Sequence, residues 1–265
     1  YENFWELFRS IPSLEQPQRS VTEEILNFDH AHPTCAHARL IDKDAKILDV
    51  RSMGFDNADR LAMTKLLLTP EERLDNMTIE DWFGPHFFET NFWYMWQTTF
   101  AFQKWSSLFE FRRYMNRMIF EFPRIETLEG VTRTPYNQYE SVILPLKAYL
   151  ETNGVRFETG RTVTDIDFAP GEALTATALH FSDGCAVDLR EGDVCIMTNA
   201  CMTDSATLGS LHAPAPAPER KPVSAELWAK VAAKRPGLGN PEPFFGNVNE
   251  SNWESFTVTC KGNRL

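Results

Sequence analysis

The stretch Asn91–Arg117, NFWYMWQTTFAFQKWSSLFEFRRYMNR, governs how the rest of the chain is read. Aromatic side chains recur through it at short spacings, and many of the chain's 20 Phe, 7 Trp and 6 Tyr fall between Trp82 and Phe122. The pattern predicts two helices, His86–Phe102 and Ser106–Phe122, joined by a bend near Lys104. So many large rings build either a thick core, the commoner outcome, or the wall of an apolar pocket.

Upstream of this block the helical character continues. Tyr1–Ile11 reads as an amphipathic helix with Phe4, Trp5, Leu7 and Phe8 as its apolar set, and a short helix is expected over Val21–Phe28. Ala38–Asp42 and Ala45–Asp49 flank Lys43-Asp44 and read as a β-hairpin. Asp56–Leu68 is a further helix ending before Pro70. Thr78-Ile-Glu-Asp81 has the form of a capping segment, with Asp81 in the usual place of Glu.

Downstream, a loop held by Pro135 leads into a helix over Gln138–Asn153, stopped by Gly154. The pattern then changes to short β-rich segments, Val155–Glu158, Val163–Phe168, Thr175–Phe181 and Val187–Leu189. Asp193–Thr198 reads as a buried strand, because its apolar run is bounded by turn signals. The expected fold class is α/β, mixed α+β in character. The expected domains are 1–153 as a mostly helical lobe with the hairpin near 38–49, 154–212 as part of an α/β domain with the strand 193–198, and 213–265 as a Pro/Ala-rich linker and the start of a further segment. Within that last segment, Leu227–Ala233 is expected as a helix and Ser255–Cys260 as a strand.

Composition excludes several classes. The net charge is −11 and no run of Lys/Arg forms a basic face, so no nucleic-acid partner is expected. Five cysteines, an odd number with no C-x-x-C pair, read as reduced thiols of a cytosol-like compartment. The six histidines form no ligand pattern, so no metal is expected. No apolar run reaches the length of a transmembrane helix. The opening YENFWELF lacks the form of a leader and reads as helix interior, and no initiating Met is present; the expectation is a piece of a longer protein.

Two places carry residue types suited to chemistry. Tyr114 sits in a helix with Glu110 one turn before it and Arg113 and Arg117 beside it. A neutral Tyr in an apolar site can donate a proton; an ordinary half-buried Tyr with a bonded hydroxyl has the same spacing. The second place is Pro135–Glu140, where Tyr136, Asn137 and Gln138 crowd a loop-to-helix junction. The Asn137 and Gln138 amides can hold an anion there, or Asn137 can simply cap the helix.

At these residues the chain becomes recognisable. Together with YENFWELFRSIPSLE, ARLID, MTIEDWF and WESFTVTCK, the aromatic block with YMNR and the segment YNQYESVILPL resemble the oleate hydratase family, also called the myosin-cross-reactive antigens. The resemblance implies an FAD-dependent hydro-lyase that adds water to a cis double bond of an unsaturated fatty acid, as in oleate to 10-hydroxystearate. It implies a partial FAD-binding Rossmann-like domain beside a helical, aromatic-rich substrate lobe. By the same resemblance Tyr114 is the proton donor, and Gln138, with Asn137 and Tyr136, meets the fatty-acid carboxylate. Val163 and the run Thr198, Asn199, Ala200 and Cys201 contact the flavin nucleotide; Ala200 stands where relatives usually carry Gly. The water-activating Glu and the main FAD fingerprint are expected before Tyr1, so this chain alone is expected to be inactive. A cytoplasmic homodimer with peripheral membrane contact is also implied. The competing expectations are a non-catalytic fatty-acid or flavin-binding relative and a flavin oxidase or desaturase.

Overall fold

The computed structural model describes residues 2–36, 39–124, 127–199, 201–218, 221–251, 254–256 and 261. The chain divides into two compact units, Tyr1–Arg156 and Phe157–Leu265.

The first unit is helical. Helices α1 (Glu2–Arg9), α2 (Val21–Ala31), α3 (Asn57–Leu68) and α4 (Ile79–Trp82) precede the aromatic block. Their starts are written in the sequence. Ser20, Asp56 and Thr78 each accept the N–H of the residue three positions on, and Glu23, Asp59 and Asp81 return the contact to the cap backbone.

The aromatic block breaks where hydrogen bonding, not hydrophobicity, decides. The expected helix over 86–102 is a 3₁₀ turn, Pro85–Glu89, followed by α5 (Asn91–Phe100). Thr90 separates them, because its hydroxyl accepts the Trp93 N–H at 3.1 Å and starts a new helix. The second expected helix is α6 (Leu108–Met118) continued by a 3₁₀ segment, Ile119–Arg124. The hairpin expected near 38–49 reduces to a single antiparallel bridge, Ile41 to Ile47. Both isoleucines are exposed, so no buried face supports a longer ladder; Ala38 lies outside the described residues.

Two hydrophobic clusters organise this unit. The larger joins α3 to α6, with Phe87, Phe92, Trp93, Trp96 and Phe111 buried together. Phe83 and Phe87 stack at 3.8 Å, and Phe111 meets Phe83 edge-on at 5.8 Å. The smaller cluster is Phe8, Ile11, Val21 and Ile25, against which Phe4, Trp5, Val142, Leu146 and Tyr149 pack. The last helix of the unit, α7 (Leu144–Thr152), is preceded by a π-helical turn, Tyr139–Ile143.

The second unit holds a three-stranded antiparallel sheet in the order β1 (Val163–Phe168), β2 (Ala176–Phe181), β3 (Ala186–Asp188). Helix α8 (Val223–Lys234) is tied to β1, where Lys234 pairs with Asp165 at 2.7 Å and with Asp167 at 3.2 Å. Two short helices, α9 (Glu242–Phe245) and α10 (Val248–Ser251), follow. The strand expected over Val155–Glu158 is irregular and exposed. So is Asp193–Thr198, with Val194 82% and Ile196 84% exposed. Among the described residues no strand lies alongside either segment, so neither has a ladder for its backbone groups. A parallel, Rossmann-like sheet is therefore absent among the described residues, and the mixed helix-and-sheet character stands at the coarser level. Most of the strand expected over 255–260 lies outside the described residues.

Candidate functional site

Between the two clusters of the first unit lies a cavity of about 690 Å³. Trp96, Phe100 and Met118 face it from one cluster, and Phe4, Trp5 and Ile25 from the other. This volume suits a small lipophilic ligand. The aromatic block thus serves both sequence-level readings: its deep rings form core, and its outer ones form wall.

Polar side chains enter this lining from three threonines, Thr99, Thr132 and Thr134, and from four longer residues. Gln138, which precedes the π-turn, lines the cavity, and its side-chain amide has no hydrogen-bond partner among the described residues. Arg117, Glu121 and Arg124 line it as well, the last two paired at 2.7 Å. Arg117 has no ion-pair partner among the described residues, whereas Arg112 and Arg113 both hold Glu71. Gly130 is the close neighbour of the Glu121–Arg124 pair, since a Cβ there would overlap the Glu121 carboxylate.

Tyr114 lies one turn before Arg117 on α6 and is 36% exposed. It does not itself line the cavity, but its ring packs edge-on against Phe100, which does. Its hydroxyl has no hydrogen-bond partner among the described residues, so the bonded, half-buried Tyr is not what is seen.

The other two residues expected at the carboxylate are engaged elsewhere. Asn137 Oδ1 accepts the Glu140 N–H at 3.0 Å and its amide donates to Glu140 Oε2 at 3.2 Å, which is the capping arrangement. Tyr136 donates its hydroxyl proton to Glu15 Oε2 at 3.0 Å. This hydrogen bond, reinforced by the Glu15 charge, raises the Tyr136 pKa above its ordinary value. Tyr136 lines a separate cavity of about 220 Å³ whose wall carries Glu15, Glu24 and Glu140. Three carboxylates around one space disfavour an anion there. Of the three expected residues, only Gln138 reaches the large cavity.

None of the described residues expected at a flavin nucleotide lines either of these two cavities. Val163 begins β1 opposite Phe181, whereas Thr198 and Asn199 lie in the irregular segment after Asp193. Cys201 Sγ lies 3.1 Å from Thr203 Oγ1, which holds the thiol pKa below its ordinary value. Ala200 lies outside the described residues. The described residues alone therefore do not fit a dinucleotide cradle.

One further cluster was not visible in the sequence. Asp56, Asp59 and His86 bring their ligand atoms within 4.8 Å of one another. The buried Asp59 carboxylate already accepts from the Asp56 N–H at 3.1 Å and lies 2.7 Å from His86 Nδ1. The group is a helix cap reinforced by an imidazole. Sequence reasoning also missed Arg117 as cavity wall and the contribution of Phe4 and Trp5. The helical spacing showed that α1 has an apolar face, but nothing in it says which element that face meets.

No helix among the described residues is long and apolar enough to cross a membrane. Against known proteins, the chain is 43% identical to a linoleate hydratase of Lactiplantibacillus plantarum over 98% of its own length and 48% of that protein. It is 33% identical to an oleate hydratase of Streptococcus pyogenes serotype M49 (strain NZ131) over 98% of its own length and 45% of that protein. The chain thus spans about half the length of these curated relatives. The match to the MCRA family runs over residues 1–265, the whole of the sequence, and the chain belongs to that family.

Proposed function

We propose that the intact protein adds water to a cis double bond of an unsaturated fatty acid. The observation that carries this reading is the mostly apolar cavity, lined both by Gln138, whose amide has no partner among the described residues, and by Arg117 and Met118 of the helix that carries Tyr114. Burying an acyl chain against such walls contributes about 0.8 kcal/mol per methylene. The kinship with proteins named linoleate and oleate hydratase supports the choice of substrate class.

In this reading the Gln138 amide donates to the substrate carboxylate, and Tyr114 places its phenolic proton on one alkene carbon. Water bonds to the other carbon, and the proton it releases returns to the phenolate. Atoms balance as alkene plus water to alcohol, with no net change of oxidation state. A carboxylate that orients the water belongs to the wider family pattern and is sought before Tyr1. A dry pocket strengthens each of these electrostatic effects.

FAD enters as a proposal for the intact protein, on the strength of the family resemblance, and no step above is routed through it. A homodimer and collection of substrate at a membrane surface have the same standing. The decisive experiment incubates the intact protein, supplied with FAD, with oleate or linoleate, and looks by mass spectrometry for a product heavier by one water. Absence of that adduct with every cis-unsaturated C16–C18 acid tried rejects the reading. A protein that binds these acids without converting them is the non-catalytic alternative.

A further inference from the structure

The wall that carries Gln138 has an unusual register. Ser141 N–H bonds the Asn137 carbonyl at 3.0 Å, an ordinary helical step. Three residues on, Leu144 N–H bonds Tyr139, five residues back rather than four. The next residue is Pro145, which is buried. In an α-helix its ring would collide with the Ser141 carbonyl, and it has no N–H to give that carbonyl. Widening the turn relieves the collision. Ser141 is itself buried, and its hydroxyl accepts the Tyr136 N–H at 3.1 Å, so the junction is held from both sides.

The wide turn decides which side chains share a face. Gln138, Val142 and Ile143 all line the large cavity. At 3.6 residues per turn, a residue five positions on lies about 140° around the helix, so Gln138 and Ile143 would point apart. In a turn closed by a five-residue hydrogen bond, the residue five on swings back toward the face of the first. Val142 would share that face in either register, and the wide turn is what brings Ile143 round to join it.

We propose that Pro145 is a positioning residue: by holding the Tyr139–Ile143 turn in the wide register, it brings the Gln138 amide and the Ile143 side chain to one cavity wall as a polar–apolar clamp for a carboxylate-bearing acyl chain. The ligand class in this proposal rests on the reading of the previous subsection. The clamp recognises the first part of the chain, with the amide on the carboxylate and Ile143 and Val142 against the methylenes that follow.

The test uses the intact protein and a naturally fluorescent conjugated C18 tetraenoic acid, with its alcohol analogue as the uncharged control. Pro145→Ala restores an N–H for the Ser141 carbonyl and removes the ring. It is expected to weaken binding of the acid at least fivefold and of the alcohol by a clearly smaller factor, the share that Ile143 contributes to both ligands. Gln138→Ala is expected to weaken the acid and leave the alcohol nearly unchanged, and the double variant to lose no more of the acid than Pro145→Ala alone, because that variant has already displaced the amide. A merely structural role for Pro145 would weaken both ligands alike. A crystal structure of the Pro145→Ala variant is expected to show Leu144 N–H moved to Glu140. An unchanged acid-to-alcohol ratio, multiplicative losses in the double variant, or a retained bond to Tyr139 each overturn the proposal. If the unaltered protein binds the acid but forms no water adduct from oleate, the hydratase reading falls while the binding comparison still decides. If it binds neither ligand, the proposal falls too.

Discussion

Tyr114 meets Phe102 edge to face, with ring centroids 5.3 Å apart and planes at 85°. Phe102 is buried and Phe100 grips the same ring at 5.6 Å, so the phenol is oriented by two aromatic neighbours while its hydroxyl stays open.

Replacing Tyr114 with Phe keeps both ring contacts and removes only the acid. Stability is expected to change by less than about 0.5 kcal/mol, as for an exposed polar atom. Hydration of oleate by the intact protein is expected to fall at least ~10²-fold, the usual scale for a lost general acid. Fatty-acid binding should be retained. A Tyr114→Phe protein that hydrates at the original rate would refute the assignment.

The aromatic core is expected to be unforgiving at Phe87. That ring is fully buried and touches Phe55, Phe83, Phe92, Trp93 and Phe111. Phe87→Ala is expected to cost about 3–5 kcal/mol, because the fixed neighbours cannot close the cavity. Denaturant unfolding monitored by tryptophan fluorescence measures it. A loss under about 1 kcal/mol would mean that the core is far looser than drawn.

Two adjacent arginines should behave unequally. Arg112 donates to the Leu66 and Leu67 carbonyls at 3.1 and 3.2 Å as well as to Glu71, and so closes the C-terminal end of α3. Its side chain is 14% exposed, against 60% for Arg113. Arg112→Met is expected to cost about 1–3 kcal/mol, because the Leu67 carbonyl loses its donor while Leu66 keeps only the Thr69 N–H. Arg113→Met should cost less than about 1 kcal/mol, because its ion pair with Glu71 is at the surface and a Met side chain can still cover the Phe109 ring. Equal losses in thermal melts of the two variants would contradict the capping role.

The cap at α3 should respond to pH. The hydrogen bond to Asp59 raises the His86 pKa above its ordinary 6.5, and the charges of Asp59, Asp56 and Glu89 reinforce it. A raised folded-state pKa stabilises the fold fully below about pH 6.5, and the contribution disappears as pH rises through the folded value. Melting temperatures measured from pH 6 upward should therefore decline, and His86→Gln should flatten that part of the curve. A slope that His86→Gln leaves intact would assign the effect to other groups.

Some of the site was written locally. The caps at Ser20, Asp56 and Thr78 follow from side chains three residues from their partners, and such contacts form wherever the helix forms. The break at Thr90 obeys the same rule but was hidden by apolar residues on both sides, so the pattern read through it. Asp193–Thr198 misled in the opposite sense. Its apolar run satisfies the strand pattern, yet a strand exists only as a pair, and no neighbour lies beside it among the described residues.

By itself, the sequence determined the helical lobe, its aromatic core, the family and the two segments that hold Tyr114 and Gln138, because periodicity, caps and motif identity are short-range properties of the chain. Only the tertiary structure decided that Gln138 faces the large cavity while Tyr136 turns to Glu15 and Asn137 to its own helix. The reason is register: three consecutive residues point three ways, and the π-turn before Pro145, packed against α1 and α2, selects which of them meets the apolar space.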